Sequence, residues 1–203
     1  MLRYIFALSV LLAGATQAMA EKAILAGGCF WCVEANFESV PGVRSVVSGY
    51  TGGKTQNPTY DDHEGHYEAV EINFDPAKIS YSEIVDMFLH STDVLDASGQ
   101  FCDKGSAYRS AIFVLNADQQ SAAKAEVDKA QAELGEKIVT PILAAGRFWK
   151  AEDYHQDYYK STDLVLTRRG PKEKQNAYVF YRDACGRDAR VSQLWGPTAE
   201  FLH

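Results

Sequence analysis

The stretch GGCFWCVEANFESV, residues 27–40, sets two glycines, a cysteine, two aromatic rings and a second cysteine ahead of an amphipathic pattern. Cys29 there admits four roles: a small buried side chain, a metal ligand, half of a disulfide, or a nucleophile. If a strand ends at Gly27 and a helix starts by Phe30, Cys29 sits at the helix N-terminus, where free backbone N–H groups and the helix dipole favour an anion. A thiol so placed is expected to have a pKa lowered into a range of about 3.5–7.5, the condition for nucleophilic attack. Gly27 and Gly28 leave the approach to its sulfur open. Phe30 lies on the apolar stripe of the helix, whereas Trp31 lies off it and reads as a pocket wall.

Two rival chemistries use the same residues. Cys29-x-x-Cys32 at a helix start suits a thiol–disulfide oxidoreductase, with the second thiol one turn away. Cys29, Cys32, His63 and His66 are compatible in type with a zinc site, although the two histidines are separated by two residues rather than the usual three to five. Glu68 adds a carboxyl group. In HYEAVEINF, residues 66–74, alternation puts His66, Glu68, Val70, Ile72 and Phe74 on one face. A carboxylate among apolar side chains is costly to ionise, so its pKa is expected to rise and it is suited to donating a proton.

The elements that must hold these groups follow from periodicity. Residues 22–27 read as a buried strand. Phe30, Val33, Phe37 and Val40 form a helical stripe that Pro41-Gly42 ends. Residues 43–50 and 66–74 read as strands flanking a loop with Gly52, Gly53, Asn57 and Pro58. Ser80 and Glu83 have capping-box spacing before the stripe Tyr81, Ile84, Val85, Phe88. Residues 108–115 predict a further strand, and Asn116 caps a helix running to Gly135. The order β-α-β-β-α-β, with an additional helix, is that of an α+β ferredoxin-like split β-α-β sandwich. The tail from about Ser161 to His203 has few periodic signals and is expected to wrap the surface. His155 and the aromatics Phe148, Trp149, Tyr154, Tyr158 and Tyr159 read mainly as packing.

MLRYIFALSVLLAGATQAMA, residues 1–20, has Arg3, a short apolar run and a small-x-small end, the pattern of a secretory signal peptide. Cleavage near Glu21 predicts an exported protein, periplasmic or secreted, with one domain over 21–203. The net charge of −7 and the scattered basic residues, grouped only around Arg168, Arg169, Lys172 and Lys174, argue against nucleic acid as a partner. Beyond the leader no stretch has the length of a membrane span. Cys29, Cys32, Cys102 and Cys185 allow three complete pairings, and the sequence does not choose among them.

GCFW before a helix, then SGYTGGKTQNPTY, GHYEAV, DKGSAYRS and FWKAEDYHQDYY, in this order over residues 24–160, resembles the A-type peptide methionine sulfoxide reductases. The resemblance implies reduction of methionine-S-sulfoxide, free or in proteins, through a sulfenic acid and a disulfide. It implies Cys29 as nucleophile, Phe30 and Trp31 around the substrate methyl group, and Glu68 as acid. Tyr60 and Tyr108 would bind the sulfoxide oxygen, with Asp103 nearby. No metal or organic cofactor is implied, and the resemblance implies a thioredoxin-like protein as the source of electrons. The resolving cysteine is expected to be Cys185, because in the family it usually lies in the C-terminal segment; Cys32 is second and Cys102 third. Two departures stand out. DDHEG between Tyr60 and His66 is shorter than the usual family loop, and the C-terminal segment lacks a glycine-rich cysteine tail. The alternative is a general thiol–disulfide oxidoreductase using Cys29 and Cys32.

Overall fold

The structure is a computed structural model and describes residues 20–202. The expected leader peptide lies outside the described residues, apart from Ala20. In chain order the elements are β1 (Glu21–Gly27), α1 (Phe30–Glu38), β2 (Val43–Thr51), β3 (Tyr67–Phe74), α2 (Tyr81–Leu89), β4 (Gly99–Gln100), β5 (Asp103–Lys104), β6 (Ser110–Val114), α3 (Ala117–Leu134), β7 (Ile142–Ala144), β8 (Trp149–Lys150), β9 (Leu164–Thr167), β10 (Gly170–Glu173), α4 (Lys174–Cys185) and α5 (Arg187–Trp195).

The main sheet has the order β7-β6-β1-β3-β2-β8, so the first and third strands of the split β-α-β pattern lie side by side at its centre. β1 pairs antiparallel with both β3 and β6, β2 pairs antiparallel with β3, and only β7 joins in parallel. The α+β ferredoxin-like reading holds.

Local chemistry explains the element ends. Ser80 and Glu83 form the reciprocal capping box of α2, and Asn116 accepts the Gln119 N–H to start α3, which Gly135 ends in the left-handed conformation. Leu25, Val46, Val70, Ile72, Phe74 and Ile112 face the helices, packing with Phe37, Ile84 and Phe88 in the main core. Each such large side chain, fully removed from water, contributes about 1.5–3 kcal/mol. A smaller cluster on the other face joins Ile24, Ala26, Tyr67, Ala69, Ala111 and Phe113.

Two expectations are corrected. The strand expected over 108–115 starts at Ser110, and Tyr108 instead ends a 3-10 turn spanning Ser106–Tyr108. The tail from Ser161, whose few periodic signals predicted no elements, forms the β9–β10 hairpin and helices α4 and α5. Its period was hidden because the buried positions are Tyr178 and Arg182 on α4 and Arg187, Val191 and Trp195 on α5. Arginine and tyrosine bury long stems while scoring as polar.

Candidate active site

Cys29 is the N-cap residue of α1, held between β1 and the helix by a glycine pair with separate tasks. Gly28 has φ +83°, and a Cβ there would stand 2.6 Å from the Gln100 side chain, so only glycine fits. The Gly27 carbonyl accepts a hydrogen bond of 2.8 Å from the Arg187 guanidinium. The tail thus braces the turn that carries the cysteine.

Cys29, Phe30, Trp31, Tyr60, Glu68, Asp103 and Tyr108 line one cavity of about 80 Å³, together with Tyr181. Every residue expected from the sequence to bind or transform substrate therefore comes to one place. The short loop closes on itself through the Thr59–Asp62 bridge, and a Glu152 carboxylate oxygen accepts the Tyr60 N–H at 2.9 Å. Glu68, on β3 opposite Tyr50 of β2, faces this cavity with only 2 % of its surface exposed.

The helix N-terminus serves Glu68 rather than Cys29. The free N–H of Phe30 donates to Glu68 Oε2 at 3.1 Å, while the Cys29 side chain accepts no capping hydrogen bond. Burial still pushes the Glu68 carboxyl up to about 8, with the charges of Asp103 and Cys32 adding to the rise; the Phe30 N–H and the Tyr108 hydroxyl oppose it. At neutral pH the group is mostly protonated.

The lowered pKa expected for Cys29 is corrected. Burial pushes its thiol well above the ordinary range, and the neighbouring Cys32, Glu68 and Asp103 push the same way. Cys32 is shifted the other way. Its pKa is lowered first by the hydrogen bond from Cys29, then by the charges of Arg187 and Arg182 and by the Tyr178 hydroxyl, against the cost of burial. The two thiols share one hydrogen bond in a pocket with Tyr158 and Tyr178.

The aromatic wall is ordered by His155. Trp31 stacks on Tyr158 with ring centroids 3.8 Å apart, and its indole N–H donates to His155 Nδ1 at 3.2 Å. Burial holds His155 down to about 4, so near neutral pH it is the uncharged ring that accepts this bond. The packing role expected for His155 and Tyr158 is thus a positioning one. Tyr60 and Tyr108 hydrogen-bond to each other, and burial raises both phenols, so they stand as neutral donors. Asp103 accepts a hydrogen bond from Tyr181, and its own pKa is raised by burial.

Cys102 and Cys185 form a disulfide, while Cys29 and Cys32 are free. His63 and His66 do not join Cys29 and Cys32: His63 bonds to the Thr59 carbonyl and His66 to Gly53 and Thr55 within their own loop. A zinc site of these four residues is therefore not formed. The residues missed from the sequence are Tyr178, Tyr181, Arg182 and Arg187. Tyr178, Tyr181 and Cys185 stand at i, i+3 and i+7, a spacing that a helical reading of the tail would have found.

Comparison with known proteins agrees with this geometry. The sequence model described as peptide methionine sulfoxide reductase matches residues 21–184. Peptide methionine sulfoxide reductase MsrA 2 of Rhizobium meliloti is 48% identical over 98% of this chain and 97% of its own. Methionine sulfoxide reductase A of Corynebacterium diphtheriae superposes with a TM-score of 0.61 at 31% identity, covering 72% of this chain and 76% of that one. Yeast Mxr1, in a crystal structure of its complex with Trx2, shares the fold with a TM-score of 0.52 at 20% identity over 71% of this chain and 90% of that one. Sequence and structure together make this chain a member of the peptide methionine sulfoxide reductase family.

Proposed function

We propose that Cys29 is the nucleophile with which this protein reduces methionine-S-sulfoxide, free or within oxidised proteins, and that Glu68 is the acid. The observation that carries the reading is the convergence of Cys29, Glu68, Tyr60 and Tyr108 on one small cavity walled by Phe30 and Trp31. A sulfoxide oxygen accepts hydrogen bonds well but leaves poorly, so it must be protonated as sulfur is attacked. The Tyr60 and Tyr108 hydroxyls hold the oxygen, and Glu68, neutral below about pH 8, delivers the proton. Cys29 passes its own proton along the hydrogen bond to the Cys32 thiolate and attacks the sulfoxide sulfur. A bond forms between Cys29 sulfur and the methionine sulfur as the protonated oxygen leaves as hydroxide; the hydroxide then attacks Cys29 sulfur, the sulfur–sulfur bond breaks, methionine departs, and Cys29 is left as a sulfenic acid. Phe30 and Trp31 enclose the methyl group.

The nearest thiol to that sulfenic acid is Cys32, which attacks Cys29 sulfur and releases water to form a disulfide. The sequence put Cys185 ahead of Cys32 in this role; the contact between the Cys29 and Cys32 thiols favours Cys32 for the first step. Cys185 and Cys102, when reduced, then take over the oxidation by exchange and end as the observed disulfide. An external dithiol protein of thioredoxin type reduces that pair. Asp103 acts as a positioning residue, holding Tyr181 against the cavity.

The deciding assay incubates the protein with racemic methionine sulfoxide and dithiothreitol and separates the epimers by chiral chromatography. Selective loss of the S epimer is expected; loss of the R epimer, or of neither, overturns the reading. We also propose export, on the signal-like residues 1–20, and the N-terminal sequence of the protein recovered from a periplasmic extract is expected to begin near Glu21.

A further inference from the structure

A second cavity, of about 650 Å³, lies between the β9–β10 hairpin and α4, with the Cys102–Cys185 disulfide in its wall. Tyr181 lines both this groove and the active-site cavity, so the two are back to back. The groove is largely apolar, and Phe180 leaves 50% of its surface exposed along it. Its rim is cationic. Arg168, Arg169 and Lys172 are exposed on the hairpin, Arg169 lies over the Phe180 ring at 4.2 Å, and among the described residues none of the three is paired with a carboxylate. In a chain of net charge −7 this is an unusual local concentration of free positive charge.

From this juxtaposition of disulfide, apolar wall and unpaired cations, we infer that the groove between β9–β10 and α4 is the docking surface for the reductant: a dithiol protein with an apolar face around its cysteines and carboxylates at its edge. The inference deepens the proposed function and rests on it for the need of such a partner. The charges steer encounter and set orientation, while the apolar wall excludes water from the exchanging sulfurs. Cys102 is the exposed member of the pair and Cys185 the half-buried one. The partner's thiolate attacks Cys102 sulfur, the S–S bond breaks, and Cys185 leaves as a thiolate beside the rim cations. The partner's second thiol then attacks its own mixed disulfide and releases Cys102. Two electrons have moved, leaving two thiols here and a disulfide in the partner.

The test follows reduction of the Cys102–Cys185 disulfide itself, without methionine sulfoxide, so that it is independent of the catalytic reading. Second-order rate constants are measured by stopped flow with a bacterial thioredoxin and, separately, with dithiothreitol. In the variant Arg169→Glu/Lys172→Glu, reduction by thioredoxin is expected to slow at least tenfold and reduction by dithiothreitol less than twofold. Arg169→Gln/Lys172→Gln should fall between, and the unsubstituted protein should lose several-fold in thioredoxin rate between low and high salt. An unchanged thioredoxin rate, as when the groove receives substrate polypeptide instead, overturns the assignment. Equal slowing by both reductants also overturns it, because the rim would then act on the disulfide and not on docking. A failure of sulfoxide reduction in the chiral assay with these rates intact would count against the catalytic reading alone.

Discussion

The protein keeps its two cysteine pairs in opposite surroundings. Cys29 and Cys32 have 6% and 2% of their surface exposed, are free thiols, and lie among Tyr158, Tyr178 and the buried guanidinium groups of Arg182 and Arg187. Cys102 is exposed and bonded to Cys185 beside an open cationic groove. The buried pair suits chemistry on a small side chain, because a small, aromatic cavity shields a sulfenic acid from stray thiols. It is also unreachable for a folded reductant. The exposed pair suits exchange with a macromolecule and would be a poor place to hold a reactive intermediate. Helix α4 lies between the two pairs. Tyr178 touches the Cys32 thiol, Tyr181 lines the substrate cavity, and Cys185 ends the helix at the groove.

The contrast is broken most directly at Cys29. Cys29→Ser is expected to lower methionine sulfoxide turnover by at least about 10⁴-fold, while thiol titration after mild dithiothreitol still finds the Cys102–Cys185 pair reducible. Turnover that survives would move the nucleophile elsewhere. Glu68→Gln is expected to slow the first, single-turnover release of methionine by about 10²–10⁴-fold, the range for loss of a general acid. The pH profile sharpens this. Because the acid must be protonated and its pKa is raised to about 8, the single-turnover rate should fall as pH rises through about 8. That limb should vanish in Glu68→Gln, and a limb that persists would assign it to another group. Cys32→Ser tests the order of thiols. Quenched-flow assays should show one methionine released per protein at near-normal yield, followed by a steady state slowed on the order of tenfold. If Cys32→Ser turns over normally and Cys185→Ser does not, Cys185 resolves the sulfenic acid directly.

The same two regions differ in how much of them the sequence reveals. Cys29, Glu68 and the strands and helix that carry them follow from local signals: a glycine-flanked cysteine at a helix start, a carboxyl group on the apolar face of an alternating strand, a capping box and a Pro-Gly stop. Tyr60, Tyr108 and Asp103 have no local signal, since each stands alone in a loop or turn, and only the ordered set of motifs points to them. The state of the thiols was not legible at all. A helix N-terminus argues for a Cys29 anion, yet the Phe30 N–H bonds to Glu68, 38 residues away, and the cations that lower the Cys32 pKa come from α4 and α5. The pairing of Cys102 with Cys185 likewise depends on the tail being helical, which its buried tyrosines and arginines conceal.

The smallest expected effect concerns the carboxyl group that joins α1 to the rest of the site. Glu34, 1% exposed, accepts a hydrogen bond from the Ser48 hydroxyl and another from the Asp157 N–H, each 3.0 Å long. Burial pushes its pKa up to about 7, against an ordinary value of 4.5, with the charges of Asp157 and Glu38 contributing. The native state therefore binds this proton more tightly than the unfolded chain, so Glu34 costs stability progressively as pH rises from about 4.5 to about 7 and no further above that. The full cost is on the order of 3 kcal/mol. Glu68 acts in the same direction up to about 8, whereas His155, lowered to about 4, makes stability rise with pH between about 4 and 6.5. The wild-type profile sums these opposed slopes, and the difference between variant and wild type isolates one of them. In Glu34→Gln the amide oxygen still accepts from Asp157 and the amide nitrogen donates to Ser48, so both bonds survive without the charge. Urea unfolding at pH 5 and pH 7.5 should then show the variant gaining about 2 kcal/mol on wild type between the two. An equal difference at both pH values would mean that Glu34 holds the same proton in the folded and unfolded chain, and its burial would have to be relieved by water.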